Sequence, residues 1–83
     1  PMRLDKYLKV SRLIKRRTVA NDACDGQRIT VNGRTAKASY DVKVGDVIVL
    51  HFGERVLAVE VLDVSETAGK SEASLLYREV NAQ

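Results

Sequence analysis

The 83-residue sequence has very few of the side chains that build disulfides and metal centres. It contains one cysteine, Cys24, and one histidine, His51. A single cysteine forms no intramolecular disulfide, and the set of cysteines and histidines that holds a structural zinc ion is missing. We therefore expect no metal or other cofactor, and the lone thiol is typical of a protein from a reducing compartment. Cys24 itself is expected to be a small buried hydrophobe.

Long apolar segments are also missing. No stretch approaches the roughly 18 residues needed to span a bilayer, and the first residues do not form the apolar centre of a signal peptide. The sequence therefore predicts a soluble cytoplasmic protein with no membrane contact.

The chain is short and poor in aromatic residues. It has three tyrosines, one phenylalanine and no tryptophan, although 45% of its residues are hydrophobic. The core must therefore be built mainly from valine, leucine, isoleucine and alanine, and a chain of this length suffices for one such core. We predict a single domain over residues 2–83, with Met2 as the natural start and Pro1 as a remnant of cloning.

Positive charge is concentrated near the N-terminus. The whole chain has a formal net charge of +3, but residues 1–28 contain eight Lys and Arg against three Asp, a net of +5, whereas residues 51–83 contain three against six, a net of −3. This division predicts a polyanion-binding face on a domain that otherwise stays soluble. The alternative is a helix surface whose charges are merely solvated.

Two amphipathic helices are predicted in the basic segment. The first covers Arg3–Val10, where Leu4, Tyr7 and Leu8 recur at helical spacing. The second covers Arg16–Asp25. Its apolar side is expected to contain Val19, Ala20, Ala23 and Cys24. The spacing of Tyr7 with the two leucines favours packing in the core over stacking on a base.

A small antiparallel sheet is predicted to follow the helices. Strands are expected at Ile29–Val31, Arg34–Lys37, Val47–Phe52 and Val56–Val64, and a short closing helix at Glu72–Val80. The dipeptide Asn32-Gly33 predicts a tight hairpin turn. The fold class is therefore α+β, with two N-terminal helices packed on a small antiparallel β-sheet.

Residues 3–48 contain an ordered series of motifs. The series consists of RLDKYL at Arg3–Leu8, the pair Arg16-Arg17, Gly26 before a strand, VNG at Val31–Gly33 and GD at Gly45-Asp46. In this order and spacing it resembles the RNA-binding domain first described in ribosomal small-subunit protein four. Two positions depart from the pattern. Lys15 replaces a small residue and weakens the N-cap of the second helix, and Ala38-Ser39 replaces Pro-Ser in a loop.

Within that family the chain looks most like the short stand-alone bacterial members, the ribosome-quality-control factors of the RqcP type and a ribosome-associated heat-shock protein. The resemblance implies binding to the large ribosomal subunit, to its ribosomal RNA and to the tRNA, as peptidyl-tRNA, of a stalled or obstructed subunit. It also implies support for tailing of the nascent chain by a partner of the NEMF type. Nothing in the sequence requires more than a monomer.

The basic segment and the hairpin supply the candidate RNA-binding residues. These are Arg3, Lys6, Arg12, Lys15, Arg16, Arg17, Arg34 and Lys37. Several cations along one surface gain affinity for RNA by releasing condensed counterions, and arginine can hold a phosphate with two parallel hydrogen bonds. Arg3 and Arg17 also match the family pattern and are the strongest candidates, whereas Lys9 is the weakest. Such a surface should recognise shape and backbone more than sequence.

Other functions are open on the sequence alone. A heat-shock-type recycling factor or a subunit-assembly factor would use the same basic surface. A protein-interaction module would instead use the acidic C-terminal part, which contains Glu54, Glu60, Asp63, Glu66, Glu72 and Glu79. We do not expect an enzyme, because His51 lacks catalytic partners at motif spacing and no further domain is present to carry RNA-modifying chemistry.

Overall fold

The computed structural model describes residues 1–65 and 76–81 and has the predicted α+β class. Its elements are α1 (Leu4–Val10), α2 (Arg17–Asp25), β1 (Ile29–Val31), β2 (Arg34–Thr35), β3 (Val47–Phe52), β4 (Arg55–Val61) and β5 (Tyr77–Val80). Among the residues described, no helix is long and apolar enough to cross a membrane.

The strands form one antiparallel sheet in the order β2-β1-β3-β4-β5. The β1–β2 hairpin turns at Asn32 and Gly33, whose φ angles of 53° and 85° both lie in the left-handed region. A two-residue turn with positive φ at both positions matches the twist of the strands that it joins. The predicted Asn32-Gly33 turn is thus confirmed, although the returning strand ends at Thr35 and not at Lys37.

The core lies between the two helices and one face of the sheet. Strand β3 alternates, so that Ile48 and Leu50 are buried and their neighbours are more exposed. These side chains share one hydrophobic cluster with residues of both helices and of β1 and β4. That cluster includes Leu4, Tyr7, Leu8, Ala20, Ala23, Cys24, Ile29, Val31, Val59 and Val61. The predicted core positions of Tyr7 and Cys24 are confirmed. The predicted burial of Val19 is wrong, because 45% of its surface is exposed.

The predicted closing helix is also wrong. Its final part, Tyr77–Val80, is strand β5, which pairs antiparallel with β4 in the register Val61↔Tyr77 and Ala58↔Val80. Its earlier part, 72–75, lies outside the described residues. The fourth strand ends at Val61, three residues before the predicted end.

A buried hydrogen bond attaches the C-terminal part of the sheet to α1. The hydroxyl of Tyr7 donates to the carbonyl oxygen of Leu76 over 2.6 Å, and the backbone N–H groups of Leu62 and Asp63 donate to the same oxygen. Burial raises the pKa of Tyr7, so this hydroxyl stays protonated and remains a donor. Leu76, directly before β5, is therefore held both by the first helix and by the two residues that follow β4.

Candidate nucleic-acid interface

A buried carboxylate lies at the centre of the basic surface. Asp5, in the first turn of α1, is only 2% exposed. Its two oxygens accept five hydrogen bonds. Within and before α1, the donors are the backbone N–H of Lys6 at 2.8 Å and Nε and Nη2 of Arg3 at 3.1 and 3.3 Å. From α2, the donors are Nδ2 of Asn21 at 3.2 Å and Nη2 of Arg17 at 3.5 Å. Residues from α1, from α2 and from the chain before α1 therefore meet at one carboxylate.

These donors keep Asp5 ionised. Burial alone would raise the pKa of the carboxyl group, but the hydrogen bonds from Arg3, Asn21 and the Lys6 backbone, together with the charge of Arg17, lower it to about 2. Because the carboxylate is charged at neutral pH, it continues to attract both guanidinium groups.

Arg3 and Arg17 are held by Asp5 without being buried. Their side chains are 49% and 47% exposed, while that of Asp5 is 3% exposed. A guanidinium group has five N–H donors in a fixed plane, and Asp5 uses two donors of Arg3 and one of Arg17. The remaining donors are available to phosphate oxygens, and the carboxylate fixes the position of both planes in advance.

A groove beside this pair extends the surface toward the sheet. We call it the helix groove. It has a volume of about 600 Å³, lies between α2 and the segment 35–39, and its polar lining includes Arg3, Asn21, Asp25, Gln27, Lys37 and Ser39. The structure thus brings Arg3, Arg17 and Lys37 to one region, although Lys37 is far from the other two in sequence.

The other predicted residues lie in α1, in the connection between the helices, at the start of α2 and in β2. Arg12, with a φ of 65°, and Lys15 are exposed in the connection between the helices, and Arg16 is the exposed N-cap of α2. Lys6 is half-buried on α1. Arg34 is exposed in β2 and lines a second groove beside the first. A direct role in binding stays a prediction for all eight candidates.

The sequence analysis missed the two polar residues that organise the arginines. The sequence indicates Asp5 only as part of the RLDKYL motif, and it does not indicate Asn21 at all. A signal was present for Asp5, because it lies in the RLDKYL motif beside three buried apolar residues, where an acidic side chain needs partners. For Asn21 no signal was available, since its role depends on the packing of α2 against α1.

The single thiol takes no visible part in this surface. Cys24 is buried under the helix groove. Burial, followed by the nearby charges of Asp5 and Asp25, raises the pKa of its thiol to about 11. The thiolate is therefore scarce at neutral pH, and the side chain acts as a core residue.

The chain belongs to the S4 domain family, whose model matches residues 2–48. It is 59% identical over 76 residues to the RQC P-site tRNA stabilizing factor of Halalkalibacterium halodurans, a match that covers 92% of this chain and 86% of that protein. It is also 37% identical over 82 residues to the heat shock protein 15 homolog of Aeromonas salmonicida, which covers 98% of this chain and 62% of that protein.

A solved structure shares the complete architecture. The trimeric structure of Vibrio cholerae heat shock protein 15 superposes with a TM-score of 0.86 at 35% identity, covering 95% of this chain and 81% of that chain. The likeness therefore extends well beyond the residues 2–48 that the family model matches. The resemblance predicted from the sequence is confirmed at the level of the family.

Proposed function

We propose that this protein is an RNA-binding, ribosome-associated factor of ribosome quality control. It binds the ribosomal RNA of the large subunit together with the tRNA of a stalled or obstructed subunit, and it supports tailing of the nascent chain. It acts by binding alone and catalyses no reaction.

The observation that carries this proposal is the arginine pair held by Asp5. Two half-exposed guanidinium groups, fixed by one buried carboxylate, present planar donors to solvent. Phosphate oxygens are the acceptors that such donors match best, and a polyphosphate backbone supplies them in series. Lys37, in the adjacent groove, adds a third cation to the same region.

The relatives support the choice of RNA and of process. The Halalkalibacterium halodurans protein is named an RQC P-site tRNA stabilizing factor, which gives a P-site tRNA as what it stabilises and quality control as its process. With 59% identity over most of both chains, we extend that role to this chain. A tailing factor of the NEMF type would then be its partner on the large subunit, and the cytoplasm its compartment.

The test is binding to large subunits that carry peptidyl-tRNA. Wild-type protein, Arg3→Ala, Arg17→Ala and Arg55→Ala would each be sedimented with these subunits and with vacant ones. Arg55 is the matched control, because it is exposed at the start of β4 and lines neither groove. We expect each of the first two substitutions to weaken binding about tenfold, in line with a charged hydrogen bond worth roughly 1.5 kcal/mol, and Arg55→Ala to leave it unchanged.

Thermal melting of each variant separates binding from folding, since Asp5 loses one partner in either variant. A folded Arg17→Ala protein that sediments like the wild type would exclude this surface. A preference of the wild type for subunits with peptidyl-tRNA supports the tRNA contact, whereas equal binding to vacant subunits contradicts it.

A second candidate is a recycling or assembly factor of the heat-shock type. It is favoured by the likeness to heat shock protein 15 in fold and sequence. The two roles differ in partner, because only the quality-control role requires a tailing factor on the same subunit. If a tailing factor is recovered with this protein on large subunits, and if ribonuclease treatment removes it, the quality-control role is favoured. Retention after that treatment would favour an interaction through the acidic C-terminal part.

We also propose that the protein acts as a single copy. Its two arginines, Asp5 and Lys37 all come from one chain, so the surface is complete without a partner copy. The heat shock protein 15 of Vibrio cholerae is described as trimeric. A sedimentation mass near 9.2 kDa at micromolar concentration is expected for this chain, and a trimer mass would contradict the proposal.

A further inference from the structure

A second groove lies on the other side of the segment 35–39, and we call it the hairpin groove. Its lining includes Asn32, Arg34, Thr35, Lys37, Ser39 and Tyr40. It shares Thr35, Ala36, Lys37 and Ser39 with the helix groove. The two depressions are therefore separated by a single wall, and Lys37 on that wall borders both.

The cations of the hairpin groove have no carboxylate partner within the part of the chain that the structure describes. Arg34 and Lys37 are both exposed, and among the residues that the structure describes neither has a carboxylate within salt-bridge distance. This differs from Arg3 and Arg17, which share Asp5. An anion that enters the groove would therefore meet two uncompensated positive charges.

The aromatic wall of the groove is held rigidly. The hydroxyl of Tyr40 donates to Oδ2 of the buried Asp46 at 2.8 Å. Nζ of Lys43 lies over one face of the ring, 6.0 Å from its centre, so the other face is the one on which a ligand would pack. The carbonyl oxygen of Tyr40 accepts the N–H of Leu4 at 2.8 Å. Side chain and backbone are thus both fixed, which reduces the entropy lost when a ligand packs on the ring.

The hairpin turn is held by the same carboxylate. Nδ2 of Asn32, in that turn, donates to Oδ1 of Asp46 at 3.0 Å, and Oδ1 of Asn32 accepts the N–H of Val47 at 2.9 Å. Because Asp46 binds both Asn32 and Tyr40, the turn and the aromatic ring are held in position relative to each other before any ligand binds. The groove is therefore preformed.

We infer that the hairpin groove binds one unpaired nucleotide of the RNA that lies on the arginine pair, with its base on the ring of Tyr40 and its phosphates on Arg34 and Lys37. An aromatic face beside two cations matches the two chemically different parts of a nucleotide. A paired base could not reach the ring, because its faces are covered within the duplex. The inference rests on the proposed function, since the RNA must already be bound beside the helix groove.

The experiment compares two RNA hairpins with the same stem, of which one is fully paired and the other contains a single bulged 2-aminopurine. The fluorescence of 2-aminopurine falls when the base stacks, so a titration reports stacking and affinity together. We expect wild-type protein to quench the bulged probe and to bind it about tenfold more tightly than the paired probe, the range expected for one stacked base. Equal affinity for the two probes without quenching would overturn the inference.

Two substitutions at Tyr40 separate stacking from folding. Tyr40→Phe keeps the ring and removes the hydrogen bond to Asp46, whereas Tyr40→Leu removes both. We expect Tyr40→Phe to retain the preference for the bulged probe and Tyr40→Leu to lose it while binding the paired probe as the wild type does. If both variants lose the preference equally, Tyr40 acts only through Asp46, and the stacking role is wrong.

Arg34→Ala tests the groove without altering its aromatic ring. If Tyr40→Leu does not fold, this variant tests whether the hairpin groove binds the unpaired nucleotide. It should lower affinity for the bulged probe more than for the paired probe, and an equal loss on both probes would contradict the assignment. A failure of the proposed function gives a different result. If the protein is not an RNA-binding factor, neither RNA hairpin binds, and Arg17→Ala does not change the affinity for either probe.

Discussion

At the scale of single residues, the arrangement of the surface depends on where one negative charge is buried. Removing a carboxylate from water is costly, and partners on several sides must offset the cost. Asp5 has such partners in Arg3, Arg17 and Asn21. The same hydrogen bonds that keep Asp5 ionised also fix the two arginines, so both stability and the proposed recognition of RNA depend on one group.

Asp5 should therefore contribute stability that depends on pH. Its pKa is about 2 in the folded protein against 3.8 ordinarily, so the folded state binds its proton less readily than the unfolded state. The contribution, about 2 kcal/mol from the shift, is present above the unfolded pKa and is lost as the pH falls through the folded pKa near 2. Asp5→Asn should lower the free energy of unfolding by this amount at neutral pH.

Urea denaturation of wild type and Asp5→Asn at several pH values measures this contribution. The difference between them should shrink as the pH falls from about 5 to about 2. A difference that is the same at every pH would mean that the asparagine changes packing and not charge, and the ionised state inferred for Asp5 would be wrong.

The sequence predicts the identity of these arginines better than their arrangement. Arg3 and Arg17 were the strongest candidates because they match the family motif. Their meeting at one carboxylate could not be predicted from periodicity, because it depends on how α2 packs against α1. Helical spacing also placed Val19 on the buried side, although α2 is contacted along a narrower stripe formed by Ala20, Ala23 and Cys24.

At the scale of elements, local pattern located strand β3 from its β-branched run and the hairpin turn from its turn chemistry, but it overestimated the length of β2 and placed the end of β4 too late. Strand β3 was predicted with its observed ends, and the Asn32-Gly33 turn was found from its dipeptide. Strand β5 was mistaken for a helix because its four residues have no pattern that decides between the two. It is a strand because β4 offers an unpaired edge and Tyr7 holds Leu76 beside it. Neither contact is visible in a local window.

The attachment of β5 to α1 can be weakened selectively. Tyr7→Phe removes the hydroxyl that donates to the carbonyl oxygen of Leu76. That oxygen still accepts hydrogen bonds from the N–H groups of Leu62 and Asp63. Because no acceptor is left unpaired, the loss should be only about 1 kcal/mol. Hydrogen exchange should show faster exchange at Tyr77–Val80 and little change in α2. Equal acceleration in both elements would contradict a local role for this bond.

The hairpin turn provides a second test at this scale. Gly33 has a φ of 85°, and a Cβ atom built on it would have no neighbour within 4 Å. The effect of Gly33→Ala is therefore pure backbone strain, about 1–2 kcal/mol. Gly33→Asn should cost less, since asparagine tolerates left-handed backbone. Thermal melting compares the two variants, and an alanine variant as stable as the wild type would exclude strain at this turn.

At the scale of the whole molecule, the positive charge gathers at the end that carries the helices. Residues 1–28 have a net charge of +5 and residues 51–83 of −3. The helix groove is lined in part by residues of this basic segment, including Arg3 and Asn21, whereas the acidic residues Glu60 and Glu79 lie in β4 and β5. Such a division orients the protein toward a polyanion before contact and opposes binding through its acidic end.

The salt dependence of binding should show which cations meet phosphate. Each phosphate contact contributes about 0.7–0.9 to the slope of log affinity against log salt concentration. Arg3→Ala and Arg17→Ala should each lower the magnitude of the slope for large-subunit RNA by about this amount, whereas Arg55→Ala, which removes the same charge outside the grooves, should leave the slope unchanged. If the arginine variants only lose stability and keep the wild-type slope, their guanidinium groups serve Asp5 alone, and phosphate is bound elsewhere on the basic surface.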